Sequence, residues 1–179
     1  MGQHRGLTAL SDTAARRQTQ DRVTVMELAE LLSPEGVIAS LRATSKKQVL
    51  QELAQRASKI VRLPERQIFE ALLERERLGT TGVGQGVAIP HAKFAGLDRL
   101  YGLFARLEQP IDFEAIDDRP VDILFALLAP EDAGADHLKA LARVSRLLRN
   151  QTVCTKLRGT DDATAIYALL TEPAASAVN

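Results

Sequence analysis

Two histidines and one arginine are the side chains whose surroundings in this sequence could support chemistry, and the chemistry would be that of an anion. His91 follows Pro90 at the end of a run from Gly79 to Ile89 that holds four of the chain's 11 glycines: Gly79, Gly82, Gly84 and Gly86. Glycine at that density lets the backbone take positive φ and lie close against another surface. Val87-Ala88-Ile89 then reads as a short strand, and Pro90 fixes the backbone just ahead of His91, so the chain aims one imidazole. Taken alone, a glycine loop followed by a strand is a weak signal, and a lone histidine at a strand end is more often structural than catalytic.

Arg75 lies three positions after Leu72 and seven after Ile68, so it projects from the apolar side of a helix that ends near the glycine loop. A charge there calls for an anionic partner, unless its stem packs while its head reaches water. Glu74, Glu76 and Arg77 around it fit an exposed helix end of mixed charge. His137 follows Asp136, a candidate N-cap. That would place the imidazole in a first turn, where free N–H groups and the positive end of the helix dipole favour anions. An exposed polar first-turn residue is the alternative.

Other polar residues offer less. Asp112, Asp117 and Asp118 lie in one acidic turn, but the alternating oxygen ligands, central glycine and closing glutamate of a calcium loop are missing, so the turn is expected to be structural. Cys154 is the single cysteine and has no partner for a disulfide, which fits a reducing, cytoplasmic compartment. No Cys/His spacing suggests zinc, and neither metal nor cofactor is expected. Lys+Arg and Asp+Glu are equal at 23 each and only 4% of residues are aromatic, which argues against nucleic acid. The longest apolar run, Val121 to Pro130, is far short of the ~20 residues a membrane helix requires.

The elements that must position these residues follow from periodicity. With 179 residues, 45% of them hydrophobic, the chain suits one packed domain. Residues 1–22, with an Arg16-Arg17 pair, read as a flexible arm, and residues 173–179 as a fraying tail. Between them the pattern predicts an amphipathic helix through Val25, Leu28, Ala29, Leu31 and Leu32, stopped by Ser33-Pro34-Glu35-Gly36. A strand over 37–41 follows. Ser45 and Gln48 form a capping box for a helix through Val49, Leu50, Leu53, Ala54 and Ala57. Pro64 opens a second helix, with Ile68, Phe69, Leu72 and Leu73 as its buried stripe and Gly79 at its end. Strands are predicted over 100–107 and 121–128. A long helix is marked by Leu138, Leu141, Ser145 and Leu148, and two short helices, 152–157 and 163–170, close the chain. The expected fold is α/β: a single domain with a mixed sheet flanked by helices.

Gly86-Val87-Ala88-Ile89-Pro90-His91, with Glu74-Arg75-Glu76 before it and Asp136-His137-Leu138 after it, closely resembles the mannitol/fructose/nitrogen class of enzyme IIA domains of the bacterial phosphotransferase system. The resemblance covers roughly residues 23–170, so residues 23–172 are expected to form one type-2 IIA domain. Phe113-Glu114-Ala115-Ile116-Asp117 and Pro120-Val121-Asp122-Ile123-Leu124-Phe125 look most like the nitrogen-regulatory branch, although Ala92 stands where that branch often carries glycine.

That resemblance implies a phosphohistidine carrier. His91 would be the phosphoryl acceptor, attacking through Nε2 with Nδ1 held by a hydrogen bond, while His137 donates a hydrogen bond to the phosphoryl group and Arg75 stabilises its charge. An HPr-like histidine phosphocarrier is the implied donor, and regulated proteins such as sensor kinases or potassium-transport components are the implied targets. The residue types agree. Neutral imidazole is abundant near neutral pH and attacks phosphorus without a separate base. Phosphoryl transfer spreads charge over three oxygens, so positioning and positive groups do most of the work. A IIA component of a fructose or mannitol uptake chain is one alternative. A binding module that is never phosphorylated, and a protein using both histidines as metal or nucleotide ligands, are others.

Overall fold

The computed structural model describes residues 26–172. The expected arm, the domain start at Val23, the Val25 end of the first helix and the tail beyond Glu172 lie outside them. In chain order the elements are α1 (Leu28–Leu31), β1 (Leu32–Leu41), α2 (Lys46–Val61), α3 (Glu65–Leu78), β2 (Gly82–Gly84), β3 (Val87–Ala88) and β4 (His91–Phe94), followed by β5 (Tyr101–Ile111), β6 (Val121–Pro130), α4 (Ala135–Arg149), α5 (Gln151–Arg158) and α6 (Ala163–Thr171). The fold is the expected α/β domain, built on a six-stranded mixed sheet in the order β1-β5-β6-β3-β2, with β4 also on β6.

β6 shows why two helical layers form. Leu124, Ala126 and Leu128 face a core shared with Val49, Leu50, Leu53 and Ala57 of α2 and Ile68 and Leu72 of α3. Ile123, Phe125, Leu127 and Ala129 face a second core with Ala140, Val144 and Leu148 of α4, Leu157 of α5 and Ile166 of α6. Successive side chains of a strand point to opposite faces, so β6, apolar at every position from Ile123 onward, must be covered on both.

β3 and β4 run parallel to β6 along the same edge: Val87 pairs with Ile123 and Ala88 with Leu124, then His91 pairs with Leu127 and Phe94 with Pro130. The line breaks at Ile89-Pro90, where proline has no N–H to donate. His91 therefore starts a strand of its own rather than ending the strand before it. The Leu127 N–H still donates to the Pro90 carbonyl at 2.9 Å, which keeps the break in register.

Several expectations are corrected. The first helix is a single turn; Leu32 already pairs with Gly102 of β5, and Ser33 to Gly36 lie within β1 across a register shift. Burial of Leu32 against the sheet outweighs helical periodicity there. The glycine run is a hairpin: β2 and β3 are antiparallel, joined at Gln85-Gly86, whose φ values of 57° and 79° are both positive, as a type I′ turn requires. Ser45 accepts the Gln48 N–H as a cap should, but the Gln48 side chain reaches back to the Thr44 N–H at 3.0 Å. Pro64 is the N-cap of α3 and not its first-turn residue. Gly134, not Asp136, is the N-cap of α4, which puts Asp136 and His137 together in the first turn. The buried stripe of α4 is His137, Ala140, Val144 and Leu148, and Leu138 is 68% exposed.

Candidate functional site

The end of α3, the start of β4 and the first turn of α4 meet at one place. Arg75 stands on the last turn of α3, half-buried, and its Nε donates to His91 Nε2 at 3.3 Å while its Nη1 donates to the Gly79 carbonyl at 2.9 Å. On the other side of the ring, His91 Nδ1 lies 2.8 Å from the Ile89 carbonyl oxygen. A guanidinium only donates and a carbonyl only accepts, so both contacts are satisfied by one tautomer: neutral, with the proton on Nδ1 and the lone pair on Nε2. Burial is the largest influence on His91 and pushes its pKa below the ordinary histidine value. The Ile89 carbonyl opposes that shift, the Arg75 charge adds to it, and the charge of Glu76 opposes it.

His137 is buried at 6% exposure, and its ring meets that of His91 edge-on, with centroids 5.5 Å apart and planes at 67°. It heads the apolar stripe of α4, which is why it faces inward; the exposed alternative does not hold. Its Nε2 is buried with no hydrogen-bond partner. Its pKa too lies below the ordinary value, chiefly through burial and then through His91 and Lys93. All three residues singled out from the sequence are thus brought together, with two neutral rings and one fixed positive charge.

Glu76 is a residue the sequence reading misplaced. It is only 6% exposed, and its carboxylate accepts from the Thr81 N–H at 2.8 Å and the Thr81 hydroxyl at 2.6 Å, with Lys46 Nζ 3.1 Å away. The spacing Ile68, Leu72, Glu76 carried the signal, because successive steps of four keep Glu76 on the buried side of α3.

The acidic turn ties down the hairpin. Asp117 accepts the N–H groups of Gln85 at 2.8 Å and Arg119 at 3.1 Å, and these bonds hold its carboxyl below the usual carboxylate range. From the other side, Arg158 grips Asp122 through two nitrogens and donates to the Gln85 carbonyl at 2.9 Å. Clefts of about 450 and 430 Å³ lie elsewhere, one lined by Glu30, Leu31, Asp98 and Arg99, the other by Gln85, Asp122 and Arg158. Two large apolar side chains reach solvent on the elements that carry Arg75 and His137: Leu78, 79% exposed one turn beyond Arg75 on α3, and Leu138, 68% exposed and next to His137 in sequence on α4.

Known proteins share this framework. The crystal structure of the nitrogen regulatory protein IIA-Ntr from Neisseria meningitidis matches with a TM-score of 0.77 at 34% identity, covering 80% of this chain and 99% of that one. IIA mannitol from Escherichia coli matches with a TM-score of 0.66 at 18% identity, over 77% of this chain and 97% of that one, a likeness of fold alone. In sequence, a nitrogen regulatory protein of Bradyrhizobium diazoefficiens is 57% identical over 152 residues, which is 85% of this chain and 99% of the relative. Residues 30–172 match the profile of the family described as "Phosphoenolpyruvate-dependent sugar phosphotransferase system, EIIA 2". The chain belongs to that EIIA 2 family, and its relatives there include nitrogen regulatory proteins.

Proposed function

We propose that this chain is a cytoplasmic phosphoryl carrier of the nitrogen-regulatory branch. It would receive its phosphoryl group on His91 from an HPr-like histidine phosphocarrier and act on regulated proteins, such as sensor kinases or potassium-transport components, according to its phosphorylation state. The observation that carries this reading is the paired contact of His91: with Nδ1–H on the Ile89 carbonyl, the Nε2 lone pair is the nucleophile.

The Nε2 lone pair attacks phosphorus as the donor's P–N bond breaks. A donor ring protonated at its other nitrogen leaves as neutral imidazole, and the Nδ1 proton of His91 stays on the acceptor ring, shared with Ile89. Arg75, which donates to the lone pair in the resting site, gives it up and turns its fork to the phosphoryl oxygens, a geometry that guanidinium suits better than ammonium. His137 brings a buried ring nitrogen without a partner, which as a donor completes the shell around the oxygens. Leu78 and Leu138, exposed on the helices that carry Arg75 and His137, would give a partner protein apolar surface to cover. The nitrogen branch is favoured over a sugar-uptake chain by the 57% identity to a nitrogen regulatory protein.

Incubation with phosphoenolpyruvate and the general phosphotransferase proteins, followed by intact-mass measurement, tests the reading. Gain of one acid-labile, base-stable phosphoryl group is expected. An unmodified protein from a mixture that phosphorylates its own carrier would instead favour a binding module, or a metal or nucleotide protein.

A further inference from the structure

Two neighbouring residues at the end of α3 reach His91 by different routes. Arg75 touches the ring. Glu76 touches Thr81, whose carbonyl accepts the Ile89 N–H at 2.9 Å, and the Ile89 carbonyl in turn accepts His91 Nδ1–H at 2.8 Å. Ile89 lies in the break between β3 and β4, so the β6 ladder does not hold its peptide directly. Its anchors are the Thr81 carbonyl behind it and, one residue ahead, the bond from Leu127 N–H to the Pro90 carbonyl. Thr81 is itself buried at 4% exposure and is bonded to the Glu76 carboxylate at two points, by its N–H and its hydroxyl. Lys46, beside the same carboxylate at 3.1 Å, supplies the counter-charge and rests 4.8 Å from the Phe113 ring centroid. A buried carboxylate satisfied this fully is costly to leave unpaired and rigid once paired.

Resting on the phosphoryl-carrier reading, we propose that Glu76 and Thr81 are positioning residues: they hold the Ile89 carbonyl on His91 Nδ1–H and so keep Nε2 as the attacking nitrogen. Neither touches the phosphoryl group. Histidines in functional sites commonly depend on the partner of the ring nitrogen that does no chemistry, because that partner fixes both tautomer and orientation. Here the partner is a backbone carbonyl, and a side-chain pair on another element fixes the backbone.

The test uses the full chain with ¹⁵N-labelled histidine. Ring-nitrogen shifts report the tautomer without any phosphorylation, and single-turnover transfer from phosphorylated carrier reports the rate. Thr81→Val removes only the hydroxyl at nearly constant volume, Glu76→Gln removes the charge, and Thr81→Ser restores the hydroxyl. Both Thr81→Val and Glu76→Gln should show a mixture of Nδ1–H and Nε2–H rings and accept phosphoryl roughly tenfold more slowly, the lower end of the loss found when the orienting partner of a metal-bound histidine is removed. Thr81→Ser should return both readouts to wild type. Folded Thr81→Val and Glu76→Gln proteins with wild-type ring shifts would overturn the proposal, and so would a slower rate with the tautomer unchanged. If the tautomer shifts but wild-type protein accepts no phosphoryl group, the positioning role stands and the carrier reading falls.

Discussion

Arg75 Nε and His91 Nε2 are 3.3 Å apart, with the guanidinium donating to the ring. The contact assigns the lone pair of His91 and sets a positive charge beside the atom that would bind phosphorus. A cation next to an imidazole disfavours its protonated form, so the contact adds to burial, the larger cause, in lowering the His91 pKa, and under the proposed function it would also meet the negative charge of an incoming phosphoryl group.

Arg75→Lys should fold normally and transfer more slowly. Losing one charge-assisted hydrogen bond of about 1.5–3 kcal/mol corresponds to roughly a tenfold to hundredfold loss of rate. Arg75→Ala should also raise the His91 pKa, since the guanidinium pushes it down. An NMR titration of the ring checks this; an unchanged or lower pKa would contradict the assigned contact.

His137→Ala should accept phosphoryl about a hundredfold more slowly, as expected for losing one preorganised donor worth ~3 kcal/mol. His137→Gln keeps a donor and should accept more readily than His137→Ala. Single-turnover transfer, with circular dichroism as the folding control, separates the two. Equal rates for both variants and wild type would remove His137 from the site.

Both histidines have lowered pKa values in the folded state, chiefly through burial. Acceptance of phosphoryl should therefore persist as pH falls through about 6.5, the ordinary histidine value, and decline only below it. The same shifts act on stability. The unfolded chain binds more protons than the folded one in this window, so stability is fully present above about 6.5 and is lost as pH falls through the folded pKa values. Urea unfolding from pH 8 to 5 measures the loss, and substituting both histidines should flatten it.

Gly82 lies where the hairpin passes Ala115: a Cβ added there would come 2.8 Å from the Ala115 Cα. That neighbour is backbone, and it cannot swing aside as a side-chain end can. Gly82→Ala should cost about 1–3 kcal/mol, in the range of other overpacked sites. Because Thr81 precedes it and leads to Ile89, transfer to His91 should slow as well. Chemical denaturation with a parallel transfer assay checks both.

The parts readable from sequence were those that local periodicity governs. α2, α3 and the central strands follow from apolar spacing, and Arg75 was placed on the inner side of α3 by the same spacing. Pro90 marks where the backbone is fixed ahead of His91, but β4 cannot be told from β3 in the sequence, because both are short and are defined by pairing with β6 rather than by their own residues. Glu76 reads as exposed in the sequence because it sits in a mixed-charge helix end with Glu74 and Arg77; what buries it is Thr81 and Lys46, reached only when the hairpin and α2 fold against α3. Leu138 helps mark the long helix in the sequence yet faces solvent, because Ala140 and Val144, smaller residues, define the inward face of α4. The α1 helix ended early because Leu32 pairs with Gly102, a contact between positions distant in sequence that local periodicity does not register.

Whether His91 is the phosphoryl acceptor is tested most directly by following intact mass over time as wild-type and His91→Ala proteins are mixed with phosphorylated carrier. One acid-labile phosphoryl group is expected on the wild-type protein and none on a folded His91→Ala. Uptake by His91→Ala at the wild-type rate, or a phosphoryl group mapped to His137 in the wild-type protein, would contradict that assignment.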